Sequence, residues 1–241
     1  MMQDEIQDKI TNNRAYLEGF QYTHDNPYHA KLENFPFVLC DNQGEELRGL
    51  WNKNFFKNTN PLHVEIGSGH GHFMLEQCEK NPLMNFVGID YRFKRGFELA
   101  KKLNLLVPKN FCYLRAKAER LSFLFAPHEV DSLFLFFPDP WPKARHHKKR
   151  LWQNLFLDDV MTILKKGSPF FVKTDDLHYF EWMQEILQPY LEQKKLELRF
   201  KTYDLWQASH SSHFLCSFQT KFEKLFIKKN IPIKAMELIC L

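Results

Sequence analysis

The sequence predicts one α/β domain of the doubly wound class, with a mostly parallel sheet and helices on both faces. Three observations support this prediction. The chain has 241 residues, 44% hydrophobic and 15% aromatic, which is enough for one sizeable core. From residue 62 onward, short apolar runs alternate with longer segments of helical spacing. Glycine-rich and proline-rich loops follow some of these runs, and in such sheets ligands bind at the loops that follow the strands.

The individual elements follow from the spacing of apolar residues. Strand-like apolar runs lie at 62–66, 84–89, 111–115, 131–137 and 169–173. Segments with helical spacing lie at 71–80, 93–106, 150–165 and 176–192. Because strand and helix alternate, we expect right-handed crossovers and parallel strand pairs. The end of the chain is more polar, and its predicted edge strands are 196–203, 213–219 and 231–240.

The sequence divides into an N-terminal extension, 1–60, whose pattern is hard to interpret, and a main domain, 61–241. The extension is expected to contain a short helix over 4–18 and a second helix near 45–57. The N-terminus lacks the apolar region of a signal peptide, and no apolar run is long enough to span a bilayer. Five widely spaced cysteines favour buried thiols over a metal site, so a cytoplasmic protein without metal or membrane partner is expected.

The loop after the first apolar run has the features of a cofactor site. Glu65 ends the run, and Gly67, Gly69 and Gly71 follow at alternate positions. Such glycines let a ligand approach the backbone, although a tight turn without a ligand has the same composition. The second run ends in Asp90, where an acid suits the hydroxyls of a ribose. Because this loop is not the phosphate-binding GxGxxG, it favours S-adenosylmethionine over the dinucleotide of an oxidoreductase, which remains an alternative.

A cationic segment follows the fourth apolar run. The net charge is +4, and 143–150 carries five formal positive charges and no acid, so the other 233 residues sum to −1. Such runs are usually solvated faces, but this one continues a proline-rich loop that holds Asp139 and Trp141. A rigid carboxylate, an aromatic ring and cations suit a nucleobase with its phosphates. A proline-rich turn with a capping aspartate is the simpler alternative.

Several motifs together resemble the bacterial tRNA (guanine-N7)-methyltransferase family. They are, in order, EIGSGHG, GID, FFPDPWPKARHHKKR, KTD at 173–175 and TKFE at 220–223. The similarity covers about 62–240 and implies a class I methyltransferase fold with a Rossmann-like sheet. It also implies S-adenosylmethionine as the cofactor, tRNA as the partner and N7 of the variable-loop guanine, position 46, as the methylated atom. We expect a monomer or a homodimer.

The resemblance also implies roles for individual residues. Asp139 matches the family's active-site acid, which lies against the cofactor as well. The other cofactor-binding positions are Glu65, Gly67, Gly69, Gly71, Asp90 and Ala118. The substrate-binding positions are Lys143, Asp175, Thr220, Lys221, Phe222 and Glu223. The RNA-binding positions are Arg145, His146, His147, Lys148, Lys149 and Arg150.

One position departs from the family pattern and leaves two alternatives open. Lys117 stands before Ala118, where the family usually has an aspartate or an asparagine. A non-catalytic RNA-binding protein on a methyltransferase scaffold is therefore an alternative, although the matched acids argue against it. The loop at 139–141 is also similar to the Pro-Pro-aromatic loop of amino-methyltransferases, which act on another nucleobase atom, but it lacks the second proline.

Overall fold

An eight-stranded sheet forms the centre of the structure, a computed structural model that describes residues 13–22, 26–106 and 109–241. The strands are β1 (Val38–Cys40), β2 (Leu62–Ile66), β3 (Asn85–Ile89), β4 (Phe111–Arg115), β5 (Ser132–Phe136), β6 (Pro169–Thr174), β7 (Leu196–Thr202) and β8 (Lys234–Cys240). Their order across the sheet is β1-β4-β3-β2-β5-β6-β8-β7. Every pairing is parallel except those of β8 with β6 and with β7. The predicted fold class is confirmed.

Helices connect the strands and pack against the sheet. The α-helices are α1 (Tyr28–Leu32), α2 (His72–Lys80), α3 (Phe93–Leu103), α4 (Leu121–Leu124), α5 (Asn154–Ile163), α6 (Leu177–Glu192) and α7 (Lys221–Lys228). Short 3-10 helices span Arg14–Tyr16, Asp41–Leu47, Ala118–Arg120, Ala144–Lys149, Ala208–His210 and Phe214–Cys216, and a π-helix spans Trp51–Phe56. None of the described helices is both long and apolar enough to cross a membrane.

Both faces of the sheet are buried, and β5 illustrates how its residues divide between them. Leu133 and Leu135 belong to the larger core cluster on one face, together with Trp152. The alternate residues Phe134 and Phe136 belong to a separate aromatic cluster. Because parallel strands covered on both faces need apolar side chains at every position, these strands form the near-continuous apolar runs seen in the sequence.

The chain before residue 60 contributes to this sheet and to its core. The short strand β1 pairs with β4 at one edge. Trp51 is fully buried, and its indole N–H donates a hydrogen bond to the Leu124 carbonyl at 2.9 Å. The fold therefore draws on residues well before the first strongly apolar run.

The two helices predicted in this part of the chain have different outcomes. The helix near 45–57 is wrong as a single element, because the structure has a 3-10 helix ending at Leu47 and a π-helix beginning at Trp51. Gly49, with a φ of 76°, lies in the turn between them. The helix over 4–18 lies mostly outside the described residues, and within them only the three residues Arg14–Tyr16 form a 3-10 helix.

Two of the three strands predicted at the end of the chain are confirmed. The spans 196–203 and 231–240 contain β7 and β8, although β8 lies inside the sheet rather than at its edge. The strand predicted at 213–219 is wrong. There the His213 side chain accepts a hydrogen bond from the Leu215 N–H and starts a 3-10 helix. The aromatic residues that imitate a strand pattern pack on the sheet instead, with Phe218 buried among other rings.

Candidate active site

The predicted site residues converge at the edge of the sheet where the parallel strands end. In the strand order, β2 lies between β3 and β5, which is the switch point where ligands bind in such sheets. The loop after β2 lies against the end of β3, because the N–H groups of Gly67 and Ser68 both donate to the Ile89 carbonyl, at 2.8 and 3.0 Å. The loops that carry the predicted cofactor acids are therefore in contact.

Glu65 is a buried carboxylate with unused hydrogen-bonding capacity. Its side chain is 8% exposed, and its Oε2 atom has no hydrogen-bond partner in the part of the chain that the structure describes. Burial, and next the charge of Asp90, raises the pKa of Glu65 to about 8. Since an unpaired buried carboxylate is costly, this position suits a ligand that brings a positive charge.

Asp90 connects the glycine loop to the helix that follows β3. Its Oδ2 accepts a hydrogen bond from the Gly69 N–H at 2.8 Å, and its Oδ1 accepts one from the Arg92 N–H at 2.9 Å. Asp90 itself is partly exposed. The carboxylate therefore fixes the backbone of the two loops that follow β2 and β3.

Two glycines of the loop have different surroundings, which predicts different effects of adding a methyl group. Gly67 and Gly71 both have positive φ, 76° and 68°. A Cβ at Gly67 would meet no atom within 4 Å, whereas a Cβ at Gly71 would collide with Leu99 of α3. Gly67 thus borders open space for a ligand, and Gly71 permits close packing.

We therefore expect Gly71→Ala to destabilise the protein more than Gly67→Ala. Both variants acquire the left-handed strain of roughly 1–2 kcal/mol. Only Gly71→Ala adds an overpacking cost of about 1–3 kcal/mol. Urea unfolding of the two variants beside the wild type measures the difference. Equal losses of stability would contradict the packing role assigned to Gly71.

Asp139 is exposed at the end of β5, close to the cofactor loops. Its side chain is 68% exposed, and its Oδ2 lies 3.7 Å from Nη2 of Arg92. Arg92 lies after β3, two residues beyond Asp90, so the loop after β5 and the loop after β3 meet here. The Phe137 N–H also donates to the Lys173 carbonyl at 2.8 Å, which fixes the start of the Asp139 loop against β6.

Arg150 supports the Asp139 loop from inside. It is 4% exposed, and its Nε donates a hydrogen bond to the Pro140 carbonyl at 2.8 Å. Its guanidinium lies 4.9 Å from the Tyr179 ring and 5.0 Å from the Trp182 ring. Of the residues predicted to bind RNA, Arg150 therefore faces the protein rather than the solvent.

The rest of the cationic segment forms a short helix on the surface. Arg145, Lys148 and Lys149 are exposed, and Lys149 Nζ lies 4.9 Å from the centre of the Trp141 ring. His146 lies edge-on to the same ring, with centroids 5.8 Å apart. Trp141 is thus partly covered by the segment, whose remaining cations face the solvent. Two further predicted residues have backbone contacts: the Lys143 carbonyl accepts the His146 N–H, and the His147 carbonyl accepts a hydrogen bond from Gln153.

The start of α7 is held by a capping box and a buried ion pair. Thr220 Oγ1 accepts the Glu223 N–H at 3.1 Å, and Glu223 Oε2 accepts the Thr220 N–H at 2.9 Å. Glu223 Oε1 lies 2.9 Å from Lys173 Nζ, and both side chains are fully buried. Glu223, a predicted substrate-binding residue, therefore has its carboxylate turned inward, whereas Lys221 and Phe222 are exposed.

Asp175 follows β6 at the same edge and is partly exposed. Burial raises its pKa above the usual value, and its backbone carbonyl accepts a hydrogen bond from Lys234 at 2.9 Å. The next residue, Asp176, caps α6 by accepting the Tyr179 N–H at 2.7 Å. The helix cap is thus assigned to Asp176, and the side chain of Asp175 is left at the site edge.

The unexpected Lys117 packs among aromatic rings. Its ammonium lies 5.1 Å from the Phe20 ring and 5.4 Å from the Tyr91 ring. Its backbone N–H donates a hydrogen bond to the Tyr22 hydroxyl at 3.0 Å. The next residue, Ala118, begins a 3-10 helix. The motifs did not point to these rings, because one follows Asp90 and the other two come from the N-terminal segment.

Comparisons with known proteins agree with this arrangement. A protein-family model described as "Putative methyltransferase" matches residues 59–236. A tRNA (guanine-N7)-methyltransferase of Clostridium tetani is 33% identical over 184 residues, which are 76% of this chain and 85% of that protein. Its counterpart in Streptococcus agalactiae is 34% identical over 207 residues, covering 86% and 93% of the two chains.

Solved structures are similar in fold. The 16S rRNA methyltransferase KamB superposes with a TM-score of 0.54 at 17% identity, covering 83% of this chain and 94% of that one. A 30S ribosomal A1408 methyltransferase from an uncultured bacterium gives 0.53 at 15% identity, covering 78% and 92%. At these identities the likeness supports the fold alone. Because the sequence relatives span most of both chains, the chain belongs to the tRNA (guanine-N7)-methyltransferase family.

Proposed function

We propose that this protein transfers a methyl group from S-adenosylmethionine to N7 of guanine 46 in the variable loop of tRNA. One observation carries the proposal: Arg92 connects the two acids that the reaction requires. Its N–H binds Asp90 in the glycine-loop cleft, and its guanidinium lies 3.7 Å from Asp139. A cofactor cleft and an exposed acid followed by cations are thereby adjacent. As a tRNA-modifying enzyme, the protein would act in the cytoplasm.

The cleft suits S-adenosylmethionine because of the groups that line it. Glu65, with its unpartnered buried Oε2, would bind the cationic amino-acid end. Asp90 would accept hydrogen bonds from the ribose hydroxyls. The open space at Gly67 would admit the ligand close to the backbone. The bound cofactor supplies an electrophilic methyl group carried on a sulfonium.

Guanine N7 has a free lone pair, so the protein need not remove a proton before the methyl group is transferred. The contribution of its residues is chiefly placement of the reacting atoms in a site with little water. Asp139 would accept hydrogen bonds from N1–H and N2–H of guanine, a pair of donors that adenine lacks. The exposed cations of 143–149 would hold the RNA backbone.

The raised pKa of Glu65 predicts that cofactor binding depends on pH. Below about pH 8 the buried carboxyl is protonated in the free protein, and a cationic ligand requires its ionised form. Binding should therefore release a proton, and the affinity should rise as the pH increases towards about 8. Titration calorimetry in buffers of different ionisation enthalpy measures both effects.

Glu65→Gln is the control for this pH dependence, since it keeps the shape of the side chain and removes its titration. The variant should bind the cofactor more weakly, with an affinity that no longer rises over that pH range. If the wild type released no proton and its affinity did not change with pH, Glu65 would not be the group that binds the cationic end.

Methyl transfer from labelled S-adenosylmethionine to an unmodified tRNA transcript tests the proposed function directly. Aniline scission at the variable loop would identify both N7 and the nucleotide. Incorporation of label without scission would show that the methyl group is on another atom. That outcome would agree with the similarity of the loop at 139–141 to amino-methyltransferases. Binding of tRNA without label would favour the non-catalytic alternative.

A further inference from the structure

A second group of cations lies beside the glycine loop, outside the motif at 143–150. It consists of Arg95 and Lys102 on α3 and Lys221 and Lys224 on α7, and is called here the helix patch. The three lysines are exposed, and Arg95 is partly exposed. Except for Lys221, the patch lies outside all the predicted binding positions.

Contacts around His70 bring the two helices of the patch together. Lys102 Nζ donates to the His70 carbonyl at 3.5 Å. Partial burial, and next the charges of Arg95, Lys102 and Lys221, lower the pKa of His70. Partial burial, and next the charges of Lys102 and Lys221, lower the pKa of His72 as well. Charges from α3 and from α7 thus act on the same two imidazoles. Two contacts place the helices there: Lys102 of α3 reaches the His70 carbonyl, and the ring of Phe73, which follows the glycine loop, lies 4.5 Å from the ring of Phe218, which precedes α7.

The acids in this region are already paired elsewhere. Asp90 binds two backbone N–H groups, and Glu98 is 2.8 Å from Lys101. Glu223 is buried against Lys173. In the described parts of the chain, no acid lies within ion-pair distance of a cation of the helix patch. Within these parts of the chain, the four cations of the patch thus form no ion pair of their own, although the charge of Glu98 acts on Lys102 as well as on Lys101.

The helix patch borders the proposed active site on a different side from the segment 143–149. Helix α3 follows β3, whereas the segment follows β5, and β2 lies between these strands. The ion pair of Arg92 with Asp139 places the start of α3 beside the site. The ring of Phe222 lies 6.1 Å from the ring of Phe137, which places the start of α7 beside the loop that carries Asp139.

We propose that the helix patch binds a second stretch of the phosphate backbone of tRNA. The proposal rests on the proposed function, because a strand whose guanine is held at Asp139 continues in both directions from that base. The segment 143–149 covers one direction, and the helix patch covers the other. Both surfaces bind phosphates, so they add affinity and fix the orientation of the RNA without reading its sequence.

The test is a triple variant, Arg95→Gln with Lys102→Gln and Lys224→Gln, whose tRNA affinity is measured over a range of salt concentrations. For each of its three cations that binds a phosphate, the variant should lose about 0.7–0.9 from the slope of log affinity against log salt. The KM for tRNA should rise while kcat and the affinity for S-adenosylmethionine stay unchanged. Circular dichroism and thermal unfolding verify that the variant is folded.

The matched control is the triple variant Lys53→Gln with Lys166→Gln and Lys195→Gln. These lysines are also exposed but lie near the opposite edge of the sheet, before β2, β6 and β7. The control should keep the slope of the wild type. A patch variant with the same slope as this control would overturn the proposal and leave an acidic protein as the partner to test.

The two proposals fail in different ways. If the wild type does not form N7-methylguanine, but the patch variant binds tRNA with a reduced slope, the proposed reaction is wrong and the second phosphate surface stands. If the wild type forms N7-methylguanine, but the slope does not change, the reaction stands and the patch is overturned.

Discussion

Asp139→Ala is expected to reduce methyl transfer to tRNA by at least about 10²-fold while the protein remains folded. The large effect follows from the position of the carboxylate, which is exposed beside the proposed cofactor site and is proposed to orient the guanine. Its ion pair with Arg92 is exposed on both sides, so its loss should cost no more than about 1 kcal/mol of stability. Single-turnover methylation and thermal unfolding measure the two quantities.

Two further variants separate the role of Asp139 from a general effect of charge. Asp139→Asn keeps the size of the side chain but replaces an accepting oxygen by a donating NH₂ group, so it should also be strongly impaired. Glu181→Ala removes another exposed carboxylate, on α6, and should retain normal activity. If Asp139→Ala retained most of its activity, the acid would have no part in placing the guanine.

The fold was predictable wherever burial on both faces dictated the composition of a strand. The spans 62–66 and 111–115 match β2 and β4, because parallel strands inside such a sheet admit few polar residues. The short strand β1 was missed, since three residues do not establish a period. The span 213–219 was assigned wrongly because its aromatic residues pack on the sheet from a 3-10 helix, which imitates a strand in composition.

The placement of the candidate site residues was predictable where they lie at or just beyond the end of a strand. Glu65, Asp90 and Asp139 all lie at the end of a strand, and the fold brings these ends together without further information from the sequence. The orientation of Arg150 and Glu223 was not predictable in this way. These two side chains turn inward towards partners, the Pro140 carbonyl and Lys173, that are provided by tertiary contacts.

The charge distribution shows the same limitation. Subtracting the segment 143–150 from the net charge left −1 for the rest of the chain, which concealed the helix patch. Its cations come from two helices that are far apart in the sequence, and the nearby acids that balance them in the sum are paired or buried. Net charge therefore located a continuous cationic segment, whereas a surface assembled from separate helices required the fold.

The second large effect is expected for Lys173→Met, which should lower the free energy of unfolding by about 3–5 kcal/mol. The substitution leaves Glu223 fully buried without its cationic partner. Burial already lowers the pKa of Lys173, and the charge of Glu223 opposes that shift, so Glu223 favours the ionised form of Lys173. Urea unfolding of Lys173→Met, of Glu223→Gln and of the double variant measures the coupling between them.

The double variant should recover much of the loss, because it contains no unpaired buried charge, and glutamine can still accept the Thr220 N–H that closes the capping box. Lys165→Met is the matched control for the single variant. Lys165 pairs with Asp131 at 2.7 Å but is 46% exposed, so its replacement should cost only about 0–1 kcal/mol. If Lys173→Met lost no more stability than this control, the role of the buried pair would be contradicted.

The same ion pair should also affect substrate binding, because it holds the start of α7, where Lys221 and Phe222 are exposed. Lys173→Met that remains folded should therefore show a raised KM for tRNA, and the double variant with Glu223→Gln should restore it. Lys165→Met should leave this KM unchanged, since its ion pair lies away from α7. Stability and substrate binding would then depend on one buried contact, which joins the end of β6 to a helix bordering the site.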